Sequence, residues 1–385
     1  VLLPRLLLRN AFRHRLRTSL TIVGLVAAIC AFGLLRTLIG AWYASADASS
    51  STRLVTRNAV SLTFSLPLSY APRIRAVEGV NEVSAAAWFG GIYQSERNFF
   101  PQFAVQADSY LRLYPEYVLP AEQKAAFLKD RQGVIVGRKL AERFGWKVGD
   151  SIALRGTIFP GTWTFTLRGI WHGAQAGTDE SQLLLHYELL NESLRLRAPG
   201  RADNTGIFYV GIDRPDDAAL VARRIDSLFA NSLAETKTEA EQAFQLSFVA
   251  MSSALLAAIQ AVSVIVILIV MAVMANTMMM TARERLPEYA TLRALGFRPG
   301  FIATLIMGES LLVAALGAGL GMALTWPAVD LIASALGNYL PHFRIAPATQ
   351  LQQALAALVV GAVAAAWPAW QMSRSDIVQG LRHVG

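Results

Sequence analysis

Charged side chains with room to act gather between positions 281 and 297, where the chain reads TARERLPEYATLRALGF. Arg283, Glu284, Glu288 and Arg293 supply the polar groups, Ala290, Leu292, Leu295 and Phe297 supply a short apolar side, and Gly296 closes the run. A short amphipathic helix of this kind suits docking into a groove on a soluble partner. The competing reading is a solvated connector whose arginines do no more than fix topology, and spacing alone leaves both open. Pro287 is unfavourable in a helix interior but harmless in the first turn. A helix that begins there leaves Glu284 outside it.

Catalytic chemistry has no comparable foothold. The chain lacks the GxxxxGK[ST] loop that cradles nucleotide phosphates, so ATP hydrolysis of that kind must reside elsewhere. It also lacks GxSxG and HExxH. His14, His172, His186, His342 and His383 are scattered, with no spacing that puts two on one helix face as metal ligands. Cys30 is the single cysteine, which rules out a disulfide framework. The expectation is no catalytic, cofactor or metal site, and no enzyme.

These groups are set among four long apolar stretches, 19–43, 246–280, 300–327 and 350–372, each at or beyond the ~20 residues a helix needs to cross a bilayer core. The chain has 385 residues, 54% of them hydrophobic and 16% charged. Residues 44–245 hold 22 Lys/Arg and 22 Asp/Glu of the chain's 35 and 27, so the remaining 13 arginines and 5 acids carry the whole net charge of +8. Eleven of those arginines cluster before the first span, in the 281–299 loop and after the last span. Short basic loops stay in the cytoplasm, which predicts both termini and the 281–299 loop inside, and 44–245 and 328–349 outside. The basic excess is thus a topology signal and no nucleic-acid footprint. Ala44-Ser45-Ala46 resembles a signal-peptidase site, but the preceding apolar run exceeds the ~7–15 residues of a signal peptide.

Within the spans, Arg36 lies near the outer end of the first and can snorkel to headgroups. Glu309 sits about two turns into the third, where a carboxylate is costly enough to suggest a functional or structural partner. Gly317 and Gly321 form a GxxxG step for close helix packing, in one subunit or at a dimer seam. Residues 1–18 read as an amphipathic helix on the inner membrane surface, and 373–385 as a cytoplasmic tail. The 44–245 insert alternates strand and helix signals: strands over 59–66, 83–93, 133–136, 151–155, 163–171 and 206–212, helices over 70–77, 138–144 and 215–230. Two β-α-β pieces far apart in sequence are expected to join one split sheet. Residues 236–246 look helical and continuous with the second span, as a stalk. An aromatic stretch, Trp88, Phe89, Tyr93, Phe99, Phe100 and Phe103, reads as core or as a contact for lipid or a partner.

The runs Asn10–Thr18 (NAFRHRLRT), Arg283–Gly296 (RERLPEYATLRALG), Gly308–Gly321 (GESLLVAALGAGLG) and Pro368–Arg374 (PAWQMSR) together resemble the FtsX/MacB-like permeases of ABC transporters. Gly133–Glu142 (GVIVGRKLAE) and Val148–Ile152 (VGDSI) are similar to the outer domain of that family, and the order of elements matches along essentially the whole chain. The chain departs at Tyr289-Ala290, where the family often has Ile-Gly, and at Pro287. The resemblance implies a multi-pass protein of the bacterial inner membrane: four transmembrane helices and a mixed α/β extracytoplasmic, periplasmic domain inserted between helices 1 and 2. It implies a homodimer of permease subunits bound to two copies of a separate ABC ATPase, which holds the ATP and Mg. The 281–299 loop becomes the coupling helix, with Arg283, Glu284, Glu288, Arg293 and Gly296 at the ATPase and Glu309 in a structural or coupling role. The function implied is mechanotransmission: ATP-driven motion passed to the periplasmic domain to extract or export lipids, lipoproteins or amphipathic compounds, with a periplasmic adaptor or substrate-binding protein as a further partner. An FtsX-like signalling or scaffold protein, activating a periplasmic partner without transport, is the alternative.

Overall fold

The computed structural model describes residues 10, 13–47, 49–175, 177–336 and 343–374. Most of the expected 1–18 helix, the tail beyond 374 and the 337–342 part of the 328–349 loop lie outside the described residues. The chain divides into two compact units: a membrane unit (up to Ala41, Ser253–Ala335 and from Phe343) and an inserted unit (Trp42–Ser252 with Leu336–His342).

The first helix, α1, spans Arg15–Asp47. In the inserted unit the order is β1 (Arg53–Asn58), β2 (Leu66–Pro67), α2 (Tyr70–Arg75), β3 (Val80–Trp88), β4 (Gly91–Ile92) and β5 (Gln102–Val105). Then follow α3 (Ala107–Leu113), β6 (Tyr117–Val118), α4 (Ala121–Lys129), β7 (Gly133–Gly137), α5 (Arg138–Phe144), β8 (Ser151–Gly156) and β9 (Gly161–Gly173). The unit ends with β10 (Leu183–His186), α6 (Tyr187–Arg197), β11 (Asn204–Thr205), β12 (Ile207–Ile212), α7 (Ala218–Leu228), β13 (Thr236–Ala240) and α8 (Glu241–Met251).

One twisted sheet runs β13-β1-β12-β3-β5-β10-β7-β9-β8-β4, with β6 added on β9. The β5–β10 and β7–β9 pairs are parallel and their neighbours antiparallel, so the sheet is mixed. The expected joining of distant pieces is present: β12 sits between β1 and β3. Local chemistry explains the strands. In β9, Trp163, Phe165, Leu167 and Trp171 point inward while Thr162, Thr164 and Thr166 alternate outward, the period-two pattern of a half-buried strand. Gly79 (φ +90°) makes the turn from α2 into β3, a backbone angle that L side chains resist.

Two expectations fail. Residues 59–65 form no strand: β1 ends at Asn58, whose side chain accepts a hydrogen bond from the Val60 N–H (3.0 Å) and turns the chain. Residues 236–246 form no single helix. Thr236–Ala240 pairs antiparallel with β1, while Thr236 and Thr238 donate side-chain hydrogen bonds to Asp226 at 2.9 and 2.7 Å. Only then does α8 start, and it stops at Ser252 before the next helix.

The membrane unit continues with α9 (Ser253–Glu284), α10 (Leu286–Ala294), α11 (Pro299–Leu336) and α12 (Pro347–Ser373). Arg15–Tyr43, Ser253–Glu284, Pro299–Ala333 and Pro347–Ser373 are long and apolar enough to cross a membrane. Helix is the form that satisfies every backbone group in hydrocarbon. A shared core joins Leu25 of α1, Met274 and Met278 of α9, Val313 and Ala314 of α11, and Val360 and Ala364 of α12. A polar knot sits in the same unit. The buried Gln353 amide donates to the Ile29 carbonyl and to the Thr325 hydroxyl, both at 2.9 Å. Cys30 is buried in α1.

Candidate functional site

The α9–α10 junction gathers the charges of the membrane unit. Helix α9 stops at Glu284 because Arg285 leaves helical geometry (φ −98°, ψ 11°), and Pro287 falls in the first turn of α10, where its missing N–H does no harm. Glu284 therefore belongs to α9 and Glu288 to α10.

Arg285 is the hub. Its side chain is 7% exposed and donates from Nη1 to Glu309 Oε1 at 2.6 Å, Glu309 being 6% exposed. Its Nε donates to Glu288 Oε2 at 3.0 Å, and its guanidinium lies 5.2 Å from the centre of the buried Tyr289 ring. Glu288 also accepts from Arg13. Arg17 grips both oxygens of Glu284, at 2.8 and 2.9 Å, and His14 lies 3.7 Å away. Arg13 and Arg17 thereby reach the two glutamates that flank Arg285, and Arg285 reaches into α11. A void of about 30 Å³ beside Glu309, bordered by Thr21, Thr277 and Thr281, has room for a water molecule.

Burial decides which of these bonds matters. The Arg13–Glu288 pair is half exposed, and such pairs contribute about 0–1 kcal/mol. The Arg285–Glu309 pair is buried, where losing one partner strands the other. Burial alone would raise the Glu288 carboxyl, but hydrogen bonds from Arg13 and Arg285 outweigh it and hold it below the usual carboxylate range. Its pairing thus supports the folded state above the ordinary carboxylate pKa and fades as pH falls through the lowered one. Burial pushes the Tyr289 hydroxyl up.

The remaining expected residues fall as follows. Arg283 is exposed on the last turn of α9, and Arg293 is half-buried on the last turn of α10. Gly296 (φ +91°) ends the segment: its N–H bonds the Arg293 carbonyl (3.0 Å), and the Phe297 N–H bonds that of Leu292 (3.1 Å). That paired closure requires a left-handed residue. Leu295 and Phe297 beyond it are 72% and 44% exposed. Gly317 and Gly321 pack within the chain: a Cβ there would lie 2.6 Å from Leu25 Cβ and 2.9 Å from Ile29 Cβ, both on α1. Arg36 stands 5.5 Å over the Phe32 ring. Arg285, Tyr289, Arg13 and Arg17 were not among the residues expected at the site, although the arginines counted toward topology and Tyr289 toward the departure from the family pattern. The available signal was Glu309 itself, since a carboxylate in an apolar span must find a cation. Trp88 and Phe99 of the aromatic stretch are partly exposed, whereas Phe89 and Phe100 are core.

No group of three or more His, Cys, Asp or Glu able to hold a metal occurs among the described residues. Four membrane-length helices, a charged junction and an inserted α/β domain define a multi-pass membrane protein. Residues 260–377, which include the junction and Glu309, match the family model of the FtsX-like permease C-terminal domain. Over 198 residues, 51% of this chain, the sequence is 27% identical to an ABC transporter permease protein of Mycobacterium tuberculosis, of which the match covers 22%. The chain therefore spans about a fifth of the length of that relative. The extracellular domain of the ABC-type transporter YknZ from Gram-positive bacteria aligns at TM-score 0.35 and 14% identity, covering 49% of this chain and 99% of that domain. The periplasmic region of MacB from Actinobacillus actinomycetemcomitans aligns at TM-score 0.35 and 10% identity, covering 51% and 92%. Residues 260–377 are thus similar to the C-terminal domain of FtsX-like permeases, and half of the chain is similar to an ABC transporter permease.

Proposed function

We propose that this permease is a lever driven by a separate ABC ATPase that carries the ATP and Mg. Two ATPase copies engage a homodimer of this chain at α10, on the cytoplasmic side, and the inserted domain works on the opposite side of a bacterial inner membrane. The observation that carries this reading is the Arg285 hub. It locks the connector to Glu309 of α11 and, through Glu288, to Arg13, so a push on α10 is delivered to other helices. Arg283, Glu284, Glu288, Arg293 and Gly296 set the shape and charge of that connector, and exposed Leu295 and Phe297 offer the ATPase an apolar grip. Along α9, Val262, Ile265, Ile269 and Val273 form a half-exposed stripe suited to lipid or the second subunit. The cargo class we propose is lipids, lipoproteins or amphipathic compounds, handed on through a periplasmic adaptor or substrate-binding protein.

The test is recruitment of the cognate ATPase to the purified permease in lipid. Leu295→Asp is expected to weaken recruitment tenfold or more, the ~1.4 kcal/mol or greater loss typical of a buried apolar anchor. Glu288→Lys is expected to leave binding weaker and coupled ATP hydrolysis lost. Unchanged recruitment and coupled hydrolysis in both variants would overturn the assignment of α10.

A further inference from the structure

The inserted unit contains an open cavity of about 930 Å³, at the upper end of the range that takes small molecules. Its walls include the rings of Tyr110, Tyr114, Tyr117, Tyr209, Trp88 and Phe103. Tyr110 stacks on Tyr114 at 4.4 Å, and Tyr117 stacks on buried Trp171 at 5.2 Å, so the aromatic wall is fixed from behind.

The charges on this wall do not balance. Arg53, buried, sits between Glu241 (Nε to Oε2, 2.8 Å) and Glu116 (Nη2 to Oε1, 2.7 Å). It also donates to the Leu113 carbonyl and lies 3.9 Å over the Tyr114 ring, so its capacity is spent on the protein. One cation therefore faces two carboxylates. Asp179, a third, is held by neutral groups among the described residues, namely the Ser181 amide and hydroxyl and the Gln182 amide. Arg112 at the margin is taken up by Glu82 and Asp108. Tyr110, 3% exposed, lines the cavity with a hydroxyl that has no hydrogen-bond partner among the described residues. Burial, with Asp179, Glu241 and Glu116 nearby, also holds the Tyr117 hydroxyl in its neutral form well above the usual range.

Ring faces joined to surplus negative charge favour one ligand chemistry. Anions are repelled, and a neutral polyol gains nothing from the carboxylate excess. We propose that this cavity binds an organic cation, a small molecule carrying an amine or quaternary ammonium, with Asp179 and Glu116 as countercharge, the tyrosine rings as cation–π faces and the Tyr110 hydroxyl as an additional polar contact. The proposal goes beyond the permease reading and needs no ATPase, so its failure leaves that reading standing.

The experiment is calorimetric titration of the full chain in nanodiscs with benzyltrimethylammonium, against benzenesulfonate and maltotriose. The cation is expected to bind saturably and at least about tenfold more tightly than either comparator, and to weaken as salt rises. Asp179→Asn, which keeps the side-chain shape, is expected to weaken binding about tenfold in the same nanodiscs, which also cancels any lipid background. Tyr110→Phe serves as a second variant and is expected to lower affinity several-fold. Absence of binding by the parent, equal or tighter binding of the sulfonate or the sugar, or affinity unmoved by salt and by both substitutions would each overturn the proposal.

Discussion

Glu309→Ala is expected to destabilise the membrane unit by about 3–5 kcal/mol, because it leaves the Arg285 guanidinium buried beside an empty space. Arg285 keeps Glu288 in that variant, but Glu288 is 41% exposed and already shared with Arg13. Arg285→Ala is expected to cost as much, this time stranding a carboxylate within a membrane-length helix. The paired replacement Arg285→Met with Glu309→Met removes both charges and is expected to recover most of the lost stability. It is not expected to recover ATP-coupled work, since two flexible thioethers hold no fixed geometry between α10 and α11. Thermal unfolding in lipid and ATPase stimulation read the two effects separately. Single variants that cost less than about 1 kcal/mol would show that the pair is solvated rather than buried.

Arg53→Met is expected to loosen the inserted unit by a similar amount, about 3–5 kcal/mol, for a related reason. Arg53 satisfies Glu241, which is itself buried, caps the Leu113 carbonyl and ties β1 to the loop at Glu116. Tyr114 donates to the other Glu241 oxygen at 2.7 Å, and a phenol cannot neutralise the carboxylate left behind. Arg53→Lys is expected to rescue only in part, because one ammonium cannot reproduce a fork that bonds two carboxylates and a carbonyl at once. The readout is amide hydrogen exchange of β1 and β13 in the full chain, which should accelerate in Arg53→Met while the helices of the membrane unit stay protected. Unchanged protection would mean that the triad contributes nothing to the edge of the sheet.

The large divisions of this chain were legible because they rest on long-range averages. A run of apolar residues longer than a bilayer core leaves little choice of structure, and Arg138–Phe144 was readable from a Gly-bounded strand followed by a helical pattern. Errors arose where a local pattern lacked its partner. Val60, Leu62 and Phe64 alternate as a strand should, yet they are 80, 40 and 56% exposed because no neighbouring strand reaches them. Thr236–Ala240 has helix-favouring charges, but its threonines find Asp226 and its backbone finds β1. That outcome depends on residues far away in sequence. The candidate site was legible as a segment and not as a mechanism. Glu284 and Glu288 were visible as charges, whereas Arg17 and Arg13, which reach them, lie more than 260 residues earlier. Gln353, in sequence beside Gln350 and Gln352, gave no such signal, and its partners are a carbonyl on α1 and a hydroxyl on α11.

The central claim is that nucleotide energy enters at α10 and does its work at the inserted domain across the bilayer. Two cysteines test this in a Cys30→Ala background: Leu233→Cys in the inserted unit and Leu295→Cys beyond α10, both at highly exposed positions. With a membrane-impermeant maleimide, intact cells with a permeable outer envelope should label Leu233→Cys at once and Leu295→Cys only after lysis. Labelling of both before lysis, or of Leu295→Cys alone, would contradict the account.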